Sequence, residues 1–315
     1  MIAKRRVADL LVAKATMGFC AASRVLPDGP WLFLGRSLGL LAYLADAYHR
    51  KMTLINLKFA LGDSLPDKDL ERIARRNFQQ WGMIGTEWAR ARYFDPQVNH
   101  AFLDKIQFEG LEHLEKAKSG GRPALLLSAH FGNWEYAHLA YASKIGPLTF
   151  IVRRIDNPLI EKERVAYNSR FGVNILYKET GLRKAIRQLQ AGCDLVIFAD
   201  QKANLKEGIP SRFFGRRTTT LPILAALARK YGLEVVPMFA LRKGWSGYHR
   251  LVFLPSLKWT PGDTVETFTL RQNLVIEKMI RSRPDHWLWM HRKWRTDHPW
   301  IYGVKDWRRL DAGRR

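Results

Sequence analysis

Apolar residues dominate two stretches near the start of the chain, residues 7–26 and 30–47. Charged residues, among them Asp9 and Arg36, interrupt both, so neither is a charge-free run of about 20 residues, the usual length of a membrane-spanning helix. We predict two amphipathic or re-entrant helices that lie in a membrane interface, with one marginal span as the alternative. A further helix is predicted over residues 66–92, whose apolar side chains fall on one face.

From residue 106 onward, short apolar runs alternate with segments of helical character. The run 124–129 (ALLLSA) is typical of a strand that is buried on both faces. Strands are predicted at residues 124–129, 148–152, 173–177, 195–199, 234–240 and 249–254. The last of them is expected at a sheet edge. The alternation predicts an α/β fold with a largely parallel central sheet flanked by helices. We divide the chain into N-terminal membrane-associating helices, residues 1–50, and an α/β domain, residues 51–315.

Composition adds constraints on partners and on compartment. The formal net charge is +23, which favours an anionic partner such as anionic lipid, nucleic acid or an acidic protein. Hydrophobic residues make up 47% of the chain, enough for a sizeable buried core. Cys20 and Cys193 are far apart and lack metal-ligand spacing, so we expect two core thiols in a reducing compartment and no metal site.

Candidate chemistry lies directly after the first predicted strand, in residues 130–135 (HFGNWE). Gly132 permits a tight turn and Asn133 can cap the next helix, so the turn can bring the carboxylate of Glu135 back towards His130. A carboxylate that holds one ring nitrogen as a donor leaves the other free to take a proton from a hydroxyl. The alternative is a His and a Glu that serve the turn and the helix end alone. His138 is expected on the helix surface.

This hexapeptide after an apolar strand resembles the catalytic motif of the lipid A biosynthesis (late) acyltransferases, within the lysophospholipid acyltransferase superfamily. Further blocks resemble the same family in the same order along most of the chain. They are NLKFAL at 56–61, RR at 153–154 followed by NP at 157–158, DQ at 200–201, FFGR at 213–216, TTT at 218–220 and WMHRKW at 289–294. Simpler superfamily members commonly carry a Pro-Glu-Gly-Thr block where this chain reads ADQ at 199–201, a departure that favours the lipid A branch.

The resemblance implies transfer of an acyl chain from an acyl-carrier-protein thioester to a hydroxyl of a lipid A precursor, in lipopolysaccharide biosynthesis. On that basis His130 is the general base, Glu135 orients and polarises it, and the acceptor attacks the thioester directly without a metal or other cofactor. The implied location is the cytoplasmic face of the inner membrane, as a peripheral, monotopic or single-span protein. The alternative is acylation of another glycolipid or a lysophospholipid with acyl-CoA as donor.

Five further residues are candidates for substrate binding. Arg153 and Arg154 follow the second strand and suit a phosphate of the acceptor or donor, unless they form a solvated strand end. Asp200 ends another strand and could bind a sugar hydroxyl, hold Arg154 or serve as a structural cap. Phe214 and Arg216 belong to a loop that either lines the acyl chain or anchors by packing.

The C-terminal segment 287–307 interleaves five tryptophans with basic residues. Such a mixture fits docking on anionic lipid headgroups, and it equally fits tryptophans that pack in a core. It could also stack single-stranded nucleic acid, but no nucleic-acid signature accompanies it, so we expect no nucleic-acid partner. The expected partners are acyl carrier protein, an anionic glycolipid acceptor and a membrane surface. A non-catalytic basic binding module is the rival interpretation.

Overall fold

The computed structural model describes residues 2–96 and 100–310. Among the described residues, four α-helices precede the first strand: α1 (Ile2–Ala22), α2 (Asp28–Ala45), α3 (Ala47–Leu61) and α4 (Asp67–Ala91). The prediction of a helix over 66–92 is confirmed, and so is helical structure in both apolar N-terminal stretches. The domain boundary that we placed at residue 50 falls inside α3 and stays a prediction.

Helices α2 and α4 pack backbone to backbone because glycines face each other at their crossing. A Cβ added to Gly82 would lie 2.0 Å from the carbonyl oxygen of Gly35, and one added to Gly39 would lie 2.2 Å from that of Phe78. Any larger residue there would force the helices apart. This contact ties the predicted N-terminal region to α4.

The centre of the molecule is a seven-stranded sheet. Its strands are β1 (Ile106–Glu109), β2 (Leu125–Ser128), β3 (Leu148–Val152), β4 (Val173–Tyr177), β5 (Asp194–Phe198), β8 (Val235–Arg242) and β9 (His249–Phe253). They lie in the order β1-β9-β8-β2-β5-β3-β4, and every neighbouring pair is parallel except β8 and β9. The α/β fold and its largely parallel sheet are therefore confirmed.

Helices flank this sheet, and a small hairpin stands apart from it. The helices are α5 (Leu111–Ala117), α6 (Trp134–Lys144), α7 (Pro158–Arg170), α8 (Lys178–Gln190), α9 (Ile223–Tyr231) and α10 (Val265–Ser282). The hairpin pairs β6 (Ile209–Phe213) with β7 (Arg216–Thr220) and lies against α10. Short 3-10 helices, including Pro284–His286, complete the C-terminal segment.

The predicted edge position of the 249–254 strand was wrong. Strand β9 pairs with β8 on one side and with β1 on the other, so it is internal. Strand β1 is only four residues long (IQFE) and its apolar positions are too few to predict a strand. It nevertheless takes the edge, because pairing in register with β9 satisfies one row of backbone groups there.

Four of the five C-terminal tryptophans lie in the core. Trp287, Trp289 and Trp294 are at most 1% exposed and Trp307 is 6% exposed, while Trp300 is partly buried. The indole rings of Trp287 and Trp289 meet edge to face, with centroids 4.6 Å apart. Core packing, and not lipid docking, therefore accounts for those four. Cys20 and Cys193 are buried free thiols, as predicted.

In the parts of the chain that the structure describes, none of the helices combines the length and the apolar character needed to cross a membrane. The face of α2 that points away from α4 carries exposed apolar side chains, with Phe33, Leu41 and Leu44 each 59–69% exposed. Membrane association of this region stays a prediction.

Candidate active site

His130 emerges where strand β2 ends, at the carboxyl edge of the sheet. Gly132 has a φ of +57°, which lets the chain turn directly after the strand. The side chain of Asn133 accepts a hydrogen bond from the backbone N–H of Tyr136 and so caps α6. The carbonyl of His130 accepts from the N–H of Leu288 at 3.0 Å, which ties the turn to the C-terminal segment.

The ring of His130 is held by Asp200, at the end of the neighbouring strand β5. The Nδ1 atom of His130 lies 3.0 Å from Oδ1 of Asp200, and the backbone N–H of His130 donates to Oδ2 at 3.1 Å. The indole N–H of Trp287 donates to the same Oδ2 at 2.8 Å. Three donors thus converge on one carboxylate that is 1% exposed.

The Asp200 carboxyl is ionised at neutral pH. Burial alone would raise its pKa, but the charge of His130 and the hydrogen bonds from His130 and Trp287 outweigh burial and lower the pKa to about 2. An ionised carboxylate can only accept, so Nδ1 of His130 carries the hydrogen. The lone pair of the neutral imidazole is then on Nε2, the state that a general base needs.

The imidazole of His130 is partly exposed at this edge of the sheet. The ring is flanked by Trp134 and Phe198, with centroids 5.5 and 4.7 Å away, and its side chain is 23% exposed. The side-chain nitrogen of Gln201 lies 3.3 Å from Nε2. A substrate hydroxyl would have to take the place of this amide in order to donate to Nε2.

The expected contact between Glu135 and the imidazole is corrected by this geometry. The partner of the ring nitrogen is Asp200, and the carboxylate of Glu135 instead accepts from the hydroxyl of Tyr167 on α7, at 3.2 Å. The reason is local: the Asn133 cap starts α6 at Trp134, and the first turn of that helix directs Glu135 towards α7. Glu135 is still close enough for its pKa to respond to the charge of His130.

Burial raises the pKa of Glu135, although the charge of Arg164 and the hydrogen bond from Tyr167 oppose the shift. Arg164 is itself paired with Glu161, at 2.8 Å, on the same helix. The site therefore contains two carboxyl groups in different environments. Asp200 is held as an anion, whereas burial disfavours the charged form of Glu135.

The two predicted arginines lie at the same edge of the sheet, but their contacts are elsewhere. The guanidinium of Arg153 is exposed and pairs with Asp156 at 3.1 Å. That of Arg154 lies 4.0 Å above the ring of Tyr177, at the end of β4. The predicted alternative in which Asp200 holds Arg154 is not observed. The carboxylate oxygens of Asp200 accept hydrogen bonds from His130 and Trp287 instead. Substrate binding by both arginines stays a prediction.

Phe214 and Arg216 anchor the β6–β7 hairpin by packing. Phe214 has a φ of +54° and is 6% exposed, beneath the guanidinium of Arg281. Arg216 pairs with Asp63 at 2.8 Å and donates to the carbonyl of Phe59 at 3.2 Å. The side chain of Arg216 is thereby occupied by the end of α3 and the turn after it, so its contacts favour the packed loop over a loop that lines the acyl chain.

Two side chains differ from what the sequence suggested. His138 is buried in the core, not on the helix surface, at 1% exposed and between Phe150 and Phe198. Lys293 is also 1% exposed and donates to the backbone carbonyl of Gln201 at 3.2 Å; burial lowers its pKa to about 8. Sequence reasoning missed Lys293, because a lysine among tryptophans gives no sign of burial.

Comparison with known proteins bears on this arrangement. The model of the family described as bacterial lipid A biosynthesis acyltransferase matches residues 4–296. The chain is 26% identical to a lipid A biosynthesis lauroyltransferase of Escherichia coli K12, over 84% of each chain. It is 25% identical to a lipid A biosynthesis palmitoleoyltransferase of the same organism, over 86% of this chain and 87% of the relative. It is also 25% identical to a phosphatidylinositol mannoside acyltransferase of Mycolicibacterium smegmatis, over 64% of this chain and 67% of the relative.

The family match extends over nearly the whole described fold, including the His130 turn, Asp200 and the buried Trp287, Trp289 and Trp294. The chain belongs to the bacterial lipid A biosynthesis acyltransferase family and is an acyltransferase.

Proposed function

We propose that this protein transfers a fatty acyl chain from an acyl-carrier-protein thioester to a hydroxyl of a lipid A precursor, with His130 as general base. The observation that carries the proposal is the buried, ionised Asp200 on Nδ1 of His130, at 3.0 Å, which leaves Nε2 free to accept a proton at a partly exposed edge of the sheet.

The reaction needs one base that later serves as an acid. The acceptor hydroxyl gives its proton to Nε2 of His130 as its oxygen bonds to the thioester carbon, and the carbonyl electrons move to oxygen. The imidazolium is stabilised by Asp200. When the carbonyl re-forms, the carbon–sulfur bond breaks and the departing thiolate takes the proton from Nε2. No acyl-enzyme is required, and the products are an ester and a free thiol.

Glu135 acts by charge in this proposal. Because Asp200 already orients the imidazole, the contribution of Glu135 is to stabilise the imidazolium by its charge. We expect Glu135→Ala to lose most turnover while the protein stays folded. Turnover and circular dichroism of the purified variant would be measured, and unaltered turnover would remove Glu135 from the mechanism.

The choice of donor and acceptor rests on the charge and on the relatives. An acyl carrier protein is acidic, so the net charge of +23 would speed encounter. Arg153 and Arg154 stand at the edge of the sheet that carries His130 and suit a phosphate of the acceptor or the donor. The similarity to a phosphatidylinositol mannoside acyltransferase favours, as a second candidate, another glycolipid acceptor. The donor in this alternative would be acyl-CoA.

A crossed assay tests both candidates. The purified protein would be incubated with a thioester of either acyl carrier protein or CoA. Each donor would be paired in turn with a lipid A precursor, a mannosylated glycolipid or a lysophospholipid, and the masses of the products would be measured by mass spectrometry. We expect the lipid A precursor to gain one acyl chain with the carrier-protein thioester. If the mannosylated glycolipid with acyl-CoA were the only pair to give an acylated product, the second candidate would be established.

We also propose that the protein docks on the cytoplasmic face of the inner membrane through α2. Phe33, Leu41 and Leu44 lie on one face of this helix, opposite the glycines that pack on α4. Arg36, on the same helix, lies 4.1 Å above the ring of Trp245, and Arg292 lies 5.2 Å above the ring of Tyr48, three residues past the end of α2. An exposed apolar helix face on a protein of net charge +23 is suited to an anionic lipid surface.

The double variant Leu41→Glu/Leu44→Glu should bind vesicles of phosphatidylglycerol and phosphatidylethanolamine about tenfold more weakly or worse, because burial of each leucine is worth roughly 1.5–3 kcal/mol. Wild-type binding should weaken in high salt, since exposed charges are screened over about 8–10 Å. The measurement is co-sedimentation. Leu274→Glu, at a leucine of α10 that is 52% exposed, is the control and should bind as wild type. Unaltered binding of the double variant would exclude α2 as the docking face.

A further inference from the structure

A buried ion pair joins α4 to β8 behind the His130 turn. Glu87 and Arg242 are 3% and 2% exposed. Two guanidinium nitrogens of Arg242 contact the two carboxylate oxygens of Glu87, and Nε of Arg242 donates to Gln80 at 2.8 Å. The Nε2 atom of His249 lies 3.0 Å from the same carboxylate. Burial would raise the pKa of Glu87, but Arg242 and His249 lower it to about 2, so the carboxylate is an anion.

This network ends on the turn between His130 and Glu135. The side-chain N–H of Asn133 donates to Oε2 of Glu87 at 2.7 Å, while its Oδ1 accepts from the backbone of Tyr136 at 3.0 Å. One amide therefore connects the ion pair to the first turn of α6. Asn133 is 1% exposed, so water cannot replace either bond readily.

The other side of the turn is fixed by neighbours of Arg242. The N–H of Gly132 donates to the carbonyl of His286 at 2.9 Å, and a Cβ on Gly132 would lie 1.8 Å from the carbonyl oxygen of Ala240. The ring of His286 in turn accepts from the backbone N–H of Arg242 at 3.3 Å. The turn is thus held between α4, β8 and the C-terminal segment.

We propose that Glu87 and Arg242 are positioning residues for the reaction. Through Asn133 they set the direction in which α6 leaves the turn, and with it the placement of Glu135 relative to the ring of His130. This inference rests on the proposed function. A buried ion pair adds little stability over well-packed apolar residues, so packing alone is a weak reason for this arrangement. A misplacement of about 1 Å at a reacting group can cost about 100-fold in rate.

Glu87→Gln tests the inference, with Asp194→Asn as its matched control. Asp194 is also a buried ion-paired carboxylate, 1% exposed, paired with Lys118 and bonded to the hydroxyl of Tyr141 at 2.8 Å. Asp194 is the first residue of β5, however, so it lies at the amino ends of the parallel strands, whereas His130 follows the carboxyl end of β2. Both variants should melt at a lower temperature. Glu87→Gln should also lose about 10- to 100-fold in kcat with KM little changed, and Asp194→Asn should keep kcat.

A second measurement does not depend on turnover. The rate at which diethyl pyrocarbonate modifies His130, followed across pH by peptide mass spectrometry, reports how the ring is held. This profile should change in Glu87→Gln and match wild type in Asp194→Asn. Asn133→Ser should reproduce the change, because serine still caps α6 but has no N–H for Glu87.

The possible outcomes are distinct. Wild-type kcat and a wild-type modification profile in folded Glu87→Gln would overturn the positioning role and leave the pair purely structural. An equal loss of kcat in Asp194→Asn would overturn it as well, because the loss would then follow stability. If the wild-type protein transfers no acyl chain, the proposed function fails, and the modification profiles still decide whether Glu87 positions the turn between His130 and Glu135.

Discussion

Replacement of His130 by glutamine should lower kcat for acyl transfer by about 10²- to 10⁴-fold, the usual contribution of a positioned general base. Glutamine keeps a polar group beside Asp200, so the buried carboxylate is not left alone, but it cannot take a proton from the acceptor. The loss should appear in kcat and not in KM, because Nε2 acts on the hydroxyl as the new bond forms. Turnover and thermal melting of the purified variant would be measured together.

His138, which lies near the same phenylalanine as His130, supplies a control. This second histidine also contacts Phe198, but it is fully buried. Burial lowers its pKa to about 3, so the ring is neutral at the near-neutral pH of the assay. Its two ring nitrogens have no hydrogen-bond partner among the described residues. His138→Gln should therefore alter stability and leave kcat within a few-fold. Full turnover in His130→Gln would eliminate the general-base mechanism and favour the non-catalytic alternative.

The elements that a periodic pattern encodes were predicted correctly. Helix α4 places Leu70, Ile73 and Phe78 on one buried face, and β2 is a short apolar run buried on both sides, so local sequence was sufficient for each. The hairpin β6–β7 was missed because its strands (IPSRF and RRTTT) carry polar residues at most positions. Those strands are stabilised by contacts with α10, a helix that begins only at Val265.

The candidate site shows the same division between local and distant information. His130 was found because its turn lies within six residues. Its carboxylate partner was assigned to the nearby Glu135, whereas the true partner is 70 residues away. Asp200 reaches the ring because β2 and β5 are neighbours in the sheet. The order of the strands cannot be predicted from the residues of any one segment, so this contact could not be predicted either. The tryptophans of the C-terminal segment were ambiguous for a related reason, since an aromatic residue beside a basic one fits a lipid surface or a core equally well.

Asp200→Asn should lose about as much turnover as His130→Gln, roughly 10²- to 10⁴-fold, although the base is still present. Asparagine can donate to Nδ1 of His130, which would move the hydrogen to Nε2 and leave no lone pair towards the substrate. The neutral amide would also no longer stabilise the imidazolium. Asp194→Asn removes a buried carboxylate at the amino end of β5, away from His130, and should keep kcat. Wild-type turnover in folded Asp200→Asn would reduce Asp200 to a structural cap.

The same variant should flatten the dependence of stability on pH. Since the folded protein lowers the pKa of Asp200 from 3.8 to about 2, the unfolded chain binds more protons as the solution becomes acidic. The ionised carboxylate thus contributes about 2 kcal/mol to the free energy of unfolding above pH ~4, and this contribution is lost as pH falls through ~2. Urea unfolding between neutral and acidic pH would measure it. If the free energy of unfolding of Asp200→Asn depended on pH as steeply as that of wild type, Asp200 would not be the ionised partner of His130. The mechanism would then need another group to keep hydrogen on Nδ1.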